Sequence, residues 1–332
     1  MALELNDIIQ EFGDYYLDSG QNLSRLKEAL RQPSATLEKF GTRLFTRDTV
    51  YQMANPIFKQ LIQPFRKKFE PRGGVDFNPN EIRLRRIKVD DSIDPHDVED
   101  NWLGFMAGDT SSKVEDYPVV KWYLEHYIAK QVQEDKELNA VYKGKYDENG
   151  NSPSDCMDGL KEQLLAGASH AKYPINIISG IGAFADVSIF DQLEAYDEAI
   201  SEKYTSVPLV HFVPQKWVRL FQKAKRANGF YFIASPAEID ATIDFTNHIV
   251  VGLPSMNGTN DIFSTVKENL VHVVKRKTDY DAAKIDLQKV GRSVNMLADW
   301  WEGIGFGCNQ LVWTTAETVG KTAEEPPETK EE

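Results

Sequence analysis

Two stretches late in the chain, residues 247–276 (NHIVVGLPSMNGTNDIFSTVKENLVHVVKR) and 294–315 (VNMLADWWEGIGFGCNQLVWTT), constrain the fold more than any other part of the sequence. An apolar run closes on Gly252-Leu253-Pro254, where proline's missing N–H and fixed φ punctuate a strand. Asn257-Gly258-Thr259-Asn260-Asp261 has the composition of a turn. The pattern then predicts one strand through Ile262 to Val274 and, later, a last extended run. Neither stretch carries a catalytic constellation.

Length and charge narrow the rest. With 332 residues, of which 41% are hydrophobic, the chain suits two compact units, or one large body with extensions, and has material for sizeable cores. A net charge of -13 excludes a general phosphate-neutralising surface, because duplex binding rests on Lys and Arg displacing counterions; a local basic patch stays open. Two cysteines, Cys156 and Cys308, cannot build a disulfide framework; they fit a reducing compartment and read as small packing residues. The start MALELNDIIQEF lacks the cationic and apolar regions of a signal peptide. No apolar stretch approaches the roughly 20 residues of a membrane span. The expectation is a protein kept in cytoplasm or in a particle assembled there. Residues 316–332, ending TAEEPPETKEE, are expected to be a disordered acidic tail.

Along the chain, residues 4–64 read as short amphipathic helices broken at Gly20, Pro33, Gly41 and Pro56, either a helical subdomain or an arm lying across neighbouring subunits. Ile82-Arg83-Leu84-Arg85-Arg86-Ile87-Lys88-Val89 alternates apolar with basic residues, which predicts a strand kinked at Arg85-Arg86. An acidic run follows at Asp90, Asp91, Asp94, Asp97, Glu99 and Asp100, and Trp102 opens a return strand or anchor. Together they predict an extended hairpin over residues 71–108. Residues 118–141 form the strongest helical pattern, closed by Lys143 and Gly144, with a loop at 146–155 and a shorter helix from Cys156 to Leu165. Helices at Ile189–Tyr204 and Pro214–Ala227 flank a strand at Pro208–Val213, a compact α/β unit.

Chemical sites are harder to find. His96, His126, His170, His211, His248 and His272 stand singly, and neither cysteine has a second ligand at zinc spacing, so no metal is expected. Ser179-Gly180-Ile181-Gly182 has neither the third glycine nor the Gly-Lys-Ser/Thr of a phosphate loop, and no Gly-x-Ser-x-Gly elbow is present. The reading has no catalytic residue and no cofactor.

The order of elements resembles the major capsid protein of tailed double-stranded-DNA phages, the Hong Kong 97-type capsid fold. The residues that carry it are the strand and Pro/Gly corner at 247–254, "IFSTVKENLVHV", the closing run with "GIGF", and HFVPQKWVRLFQKAKRANG at 211–229. The resemblance implies an α+β fold with an N-terminal arm at 1–64, an E-loop at 65–113, a P-domain with the spine helix at 114–182, an A-domain at 183–293, and return strands at 294–315. It implies self-assembly into pentamers and hexamers that close an icosahedral shell around the genome. Its partners would be itself, a portal protein, a separate scaffolding protein or none, and encapsidated double-stranded DNA held non-specifically, with no membrane. Inter-subunit contacts would then fall on Arg83, Arg85, Arg86, Lys88, Asp90, Asp91, Asp94, Asp97 and Trp102. Two rivals stay open: an encapsulin-like shell protein, or a cytoplasmic α/β enzyme with an unrecognised site.

Overall fold

The computed structural model describes residues 35–58, 75–94, 122–227, 241–244, 246–276, 283–290 and 293–320, with a few single residues between them. Most of the expected broken helices of residues 4–64, Trp102, the start of the 118–141 helix and most of the acidic tail lie outside the described residues. In chain order the elements begin with helix α1 (Ala35–Phe40) and strands β1 (Thr42–Thr46), β2 (Val50–Phe58), β3 (Val75–Arg83) and β4 (Arg85–Ile93). A rod, α2, follows, in which π-helical Leu124–Ile128 and Lys136–Ala140 bracket α-helical Ala129–Asp135. Then come α3 (Leu160–Ala168), β5 (Asn176–Ile178), α4 (Ile189–Glu198), β6 (Leu209–Pro214), α5 (Gln215–Ala227), β7 (Ala241–Thr242) and β8 (Ile249–Leu253). Strands β9 (Phe263–Val266), β10 (Leu270–Lys275), β11 (Ala283–Val290), β12 (Ser293–Phe306) and β13 (Val312–Thr315) close the chain.

These strands build two large sheets and one ribbon. The six-stranded sheet runs β5-β13-β9-β6-β8-β7, and β6, buried at every position, sits near its centre. Helices α4 and α5 cover one of its faces with Ile189, Leu193 and Tyr196, and with Trp217, Val218 and Phe221, the i, i+3/i+4 stripes that an amphipathic helix turns inward. The five-stranded sheet runs β1-β10-β12-β11, with β4 on the other edge of β12. A second core joins the two sheets: Trp300, Ile304 and Phe306 of one meet Phe212, Phe263 and Val312 of the other, together with Val141, Tyr142, Leu160 and Leu164. Strands β2 and β3 form a two-stranded ribbon by themselves.

The α/β unit at 189–227 follows the expected pattern, except that its first helix ends at Glu198 and Glu202–Tyr204 is a separate 3-10 turn. Helix α2 extends as anticipated to residue 140, where Gly144 N–H donates to the Ala140 carbonyl and leaves no room for a side chain. Helix α3 begins four residues later than expected, because Pro153–Asp155 forms a 3-10 turn closed by a Ser152/Asp155 capping box.

Several expectations are corrected. The single strand Ile262–Val274 is two, broken by a 3-10 turn at Lys267–Asn269, with β9 in the six-stranded sheet and β10 in the five-stranded one. The closing run forms a pair of strands, β12 and β13, one in each of the same two sheets. Asn269 holds both crossings side by side: its Nδ2 donates to Thr265 Oγ1 at 2.8 Å and the Cys308 carbonyl at 2.9 Å, and its Oδ1 accepts from Cys308 N–H at 2.6 Å.

A further correction concerns the hairpin. The basic run divides at Leu84: Ile82 and Arg83 end β3, while Arg85 to Val89 and the start of the acidic run are one strand, β4, paired antiparallel with β12 from Arg85↔Glu302 to Ile93↔Val294. Alternating burial runs unbroken through Ile87, Val89, Asp91 and Ile93, so a change in the sign of the charge did not mark a turn. The two-stranded excursion is instead β2–β3, in register from Val50↔Arg83 to Phe58↔Val75. Residues 42–46 and 50–58, expected as broken helix, are strand.

Candidate assembly surface

The β2–β3 ribbon leaves the body at a root that the sequence prepares carefully. Ile82 is buried against β12, where Gly303 and Gly305 of the "GIGF" run give it space. A methyl group on Gly303 would lie 2.7 Å from the Arg83 carbonyl oxygen, and one on Gly305 would lie 2.9 Å from Ile82 Cγ1. Asn80 Nδ2 donates to the Phe306 carbonyl at 2.9 Å and to Asn309 Oδ1 at 2.7 Å, fixing the same root from the other side. Gly303→Ala is expected to destabilise the subunit by about 1–3 kcal/mol through overpacking against backbone. An unchanged melting temperature would show that the ribbon root can shift freely.

The expected contact residues divide into two groups. Arg85 is turned inward: its guanidinium reaches Asp158 Oδ2 at 3.2 Å and stacks 3.8 Å above the Tyr146 ring, while Asp158 Oδ1 accepts from Tyr146 N–H. Arg86 pairs with Asp299 across the β4–β12 ladder at 2.8 Å. Asp91 accepts from the Tyr123 hydroxyl at 3.0 Å; burial, with the Asp91 charge and hydrogen bond, pushes that phenol up to about 12. These three side chains therefore hold their own chain together. Arg83 and Lys88 point outward, with side chains 64% and 76% exposed, and Lys88 meets the half-exposed Asp90 at 2.7 Å. Asp97 is also exposed.

Beside β4 lies a cleft of about 440 Å³ between that strand, α2 and the loop 146–156, lined by both signs of charge, among them Arg86, Lys88, Asp135, Asp147 and Asp155. Beneath it is a buried ionic network. Glu302 Oε1 lies 2.5 Å from Lys136 Nζ and 2.5 Å from His272 Nε2, and Oε2 accepts from Trp300 Nε1 at 3.0 Å. Burial alone would raise the Glu302 carboxyl; Lys136 and His272 outweigh it and hold it well below the usual range. Burial lowers His272, against the pull of Glu302. On the far side of α2, Glu137 accepts from Thr36 N–H at 3.1 Å and from the Thr36 hydroxyl, which ties α1 to the rod.

The expectation that no histidines gather is corrected too. His211 and His248 meet at Asp197 in the core of the α4–sheet unit, among residues far apart in sequence. The available signal was a histidine inside the wholly buried strand LVHFVP.

No family model and no curated protein matches the chain. Solved structures do. It is similar to the capsid of an empty GTA particle, at 12% identity over 86% of this chain and 90% of that one, with a TM-score of 0.56. It is similar to the procapsid of satellite phage P4 including the size determination (Sid) protein, at 14% identity over 90% of each chain, with a TM-score of 0.56. The capsid of the native GTA particle matches at 12% identity over 86% of this chain and 96% of that one, with a TM-score of 0.53. The chain has the α+β phage-capsid fold.

Proposed function

We propose that this chain is the major capsid protein of a tailed double-stranded-DNA phage or prophage, and that its role is structural rather than catalytic. Copies associate into pentamers and hexamers that close an icosahedral shell around the genome, through heterologous contacts related by symmetry. The observation that carries this reading, beside the fold, is the β2–β3 ribbon, whose strands pair with each other and with no third strand among those described. An isolated two-stranded ribbon is marginal in water, so it needs a surface to lie on, and a neighbouring copy supplies one.

The ribbon root, the outer edge of β4 and the residues that follow it then present Arg83, Lys88, Asp90, Asp94 and Asp97 to the neighbour, and Trp102 is the further contact of this reading. Such charges set register and partner choice more than affinity. A portal protein, a scaffolding protein and non-specifically held DNA are the further partners, with assembly in the host cytoplasm.

The test is expression followed by sedimentation and negative-stain microscopy of the full chain and of a variant in which residues 55–78 are replaced by a short Gly/Ser linker. The full chain is expected to form capsomers or shells, alone or with a co-expressed scaffolding protein. The variant is expected to keep its helix and sheet content and most of its melting temperature but to stay unassembled. A strictly monomeric full chain in the presence of the phage's own structural proteins, or a linker variant that closes normal shells, overturns the reading. Shells that enclose a co-encoded enzyme and never protect DNA would turn it into the cargo-holding alternative.

A further inference from the structure

We propose that Asp197, His211 and His248 form a site for one divalent transition-metal ion, with zinc the best fit, that pins helix α4 to the six-stranded sheet. The proposal is independent of shell assembly. His211, in the middle of β6, points Nε2 at Asp197 Oδ1 from 2.9 Å. His248, just before β8, brings Nδ1 to the same oxygen. The three ligand atoms lie within 4.8 Å of one another. Zinc bonds of roughly 2.0–2.2 Å at tetrahedral angles place neighbouring donors about 3.3 Å apart, so an ion fits after small side-chain shifts.

The far sides of the two rings decide what the near sides can do. His248 Nε2 faces the Tyr204 carbonyl at 3.1 Å, an acceptor without a proton, so the ring hydrogen sits on Nε2. His211 Nδ1 lies 2.6 Å from Ser264 Oγ, whose own hydrogen is directed to Tyr196 Oη at 2.8 Å, so Nδ1 is the donor there as well. With the outer nitrogens so engaged, both inner nitrogens converge on one Asp197 oxygen, an arrangement that a shared cation stabilises. Two protons would make two imidazolium rings with centroids 5.4 Å apart in the core, each sharing one oxygen. A single dication satisfies all three groups at once. Outer hydrogen bonds from ligand histidines to a carbonyl and a hydroxyl are the usual way such rings are oriented.

The donor set, two imidazoles and one carboxylate, leaves a fourth position for the second Asp197 oxygen or a water. Nitrogen and oxygen ligands without a thiolate suit zinc, with copper and nickel as competitors. His211 and His248 are 0% and 2% exposed, so the ion would enter as the unit folds and would be structural.

The test uses the full chain without a polyhistidine tag, purified from zinc-supplemented growth, dialysed against metal-free buffer and analysed by plasma mass spectrometry. About one zinc per chain is expected, with none in Asp197→Asn or His248→Gln. Refolding with a chelator is expected to lower the melting temperature by several degrees, and added Zn²⁺ to restore it. Cobalt substituted for zinc is expected to give the visible absorption of a four-coordinate site. Less than about a tenth of an equivalent of metal in the native protein, with melting unaffected by chelator during refolding, would mean that protons hold the cluster and would overturn the proposal. So would an equivalent of zinc that persists in His248→Gln.

Discussion

Replacing Glu302 with glutamine is expected to destabilise the subunit by about 3–5 kcal/mol, a loss of about 10 °C in melting temperature for a body of this size. Glu302 and Lys136 are 1% and 5% exposed, so water cannot take over the role of the lost carboxylate. The variant would leave the Lys136 ammonium buried without its counter-charge, and it would exchange a charged acceptor for an amide at His272 Nε2 and Trp300 Nε1. Removing both charges together, as Glu302→Gln with Lys136→Met, is expected to cost less than the single change, since the amide still accepts from Trp300 Nε1 and no ammonium stays buried beside it. Equal losses in the single and double variants would contradict this account.

The same network has a pH signature. The Glu302 carboxyl is held below its unfolded value, so the native state binds fewer protons there. Its contribution is complete above about pH 4.3 and is lost as pH falls toward the folded value. His272 is lowered as well, so its share fades in the same direction, beginning below about pH 6.5. Stability of the wild type should therefore fall steeply on acidification, and Glu302→Gln should show a shallower slope below pH 4.

Asn269→Ala is the second large effect expected, about 2–4 kcal/mol. The change orphans the part-buried Cys308 N–H and takes a donor from Thr265 Oγ1 and from the Cys308 carbonyl, which keeps the Leu311 N–H at 3.3 Å; a buried polar group left unpaired costs roughly 1–3 kcal/mol. Asn269→Asp should do no better, because a carboxylate oxygen would then face the Cys308 carbonyl. Since the amide clamps both places where the chain passes between sheets, the loss should also appear as faster hydrogen exchange in β9 and β13 than in β4. A uniform change in exchange across both sheets would show that Asn269 has no special hold on the crossing.

The break at Asn269 also shows where sequence reading stops. The run from Ile262 to Val274 carries one local sign of the break, the consecutive polar residues Lys267-Glu268-Asn269, but what fixes the break is a set of bonds to Cys308, distant in sequence, that no local period records. β6, α5 and the corner after β8 were legible because their burial follows from local periodicity and from proline and glycine chemistry. β2 was hidden by Pro56, read as a helix breaker; it pairs with Phe77 in a ribbon, where a proline is tolerated at an edge. The acidic half of β4 misled for a different reason: strand continuity depends on which side a residue faces, and Asp91 has a tyrosine hydroxyl to meet on the inner side. Of the expected contact residues, Arg85 and Arg86 could not have been separated from Arg83 and Lys88 without knowing that Asp158 and Asp299 lie opposite.

Strand β12 has a mechanical consequence. Its 14 residues span about 45 Å, with β4 along one edge from Val294 to Glu302, and β11 and then β10 along the other from Ser293 to Phe306. Antiparallel hydrogen bonds run perpendicular to the strands, so a pull along β12 shears many rungs at once and none can yield first. A sideways pull on the β2–β3 ribbon peels its rungs one after another. The body is stiff along one line while its ribbon is compliant, so a load spread over many copies would be taken up by bending at the ribbons before it reached the sheets.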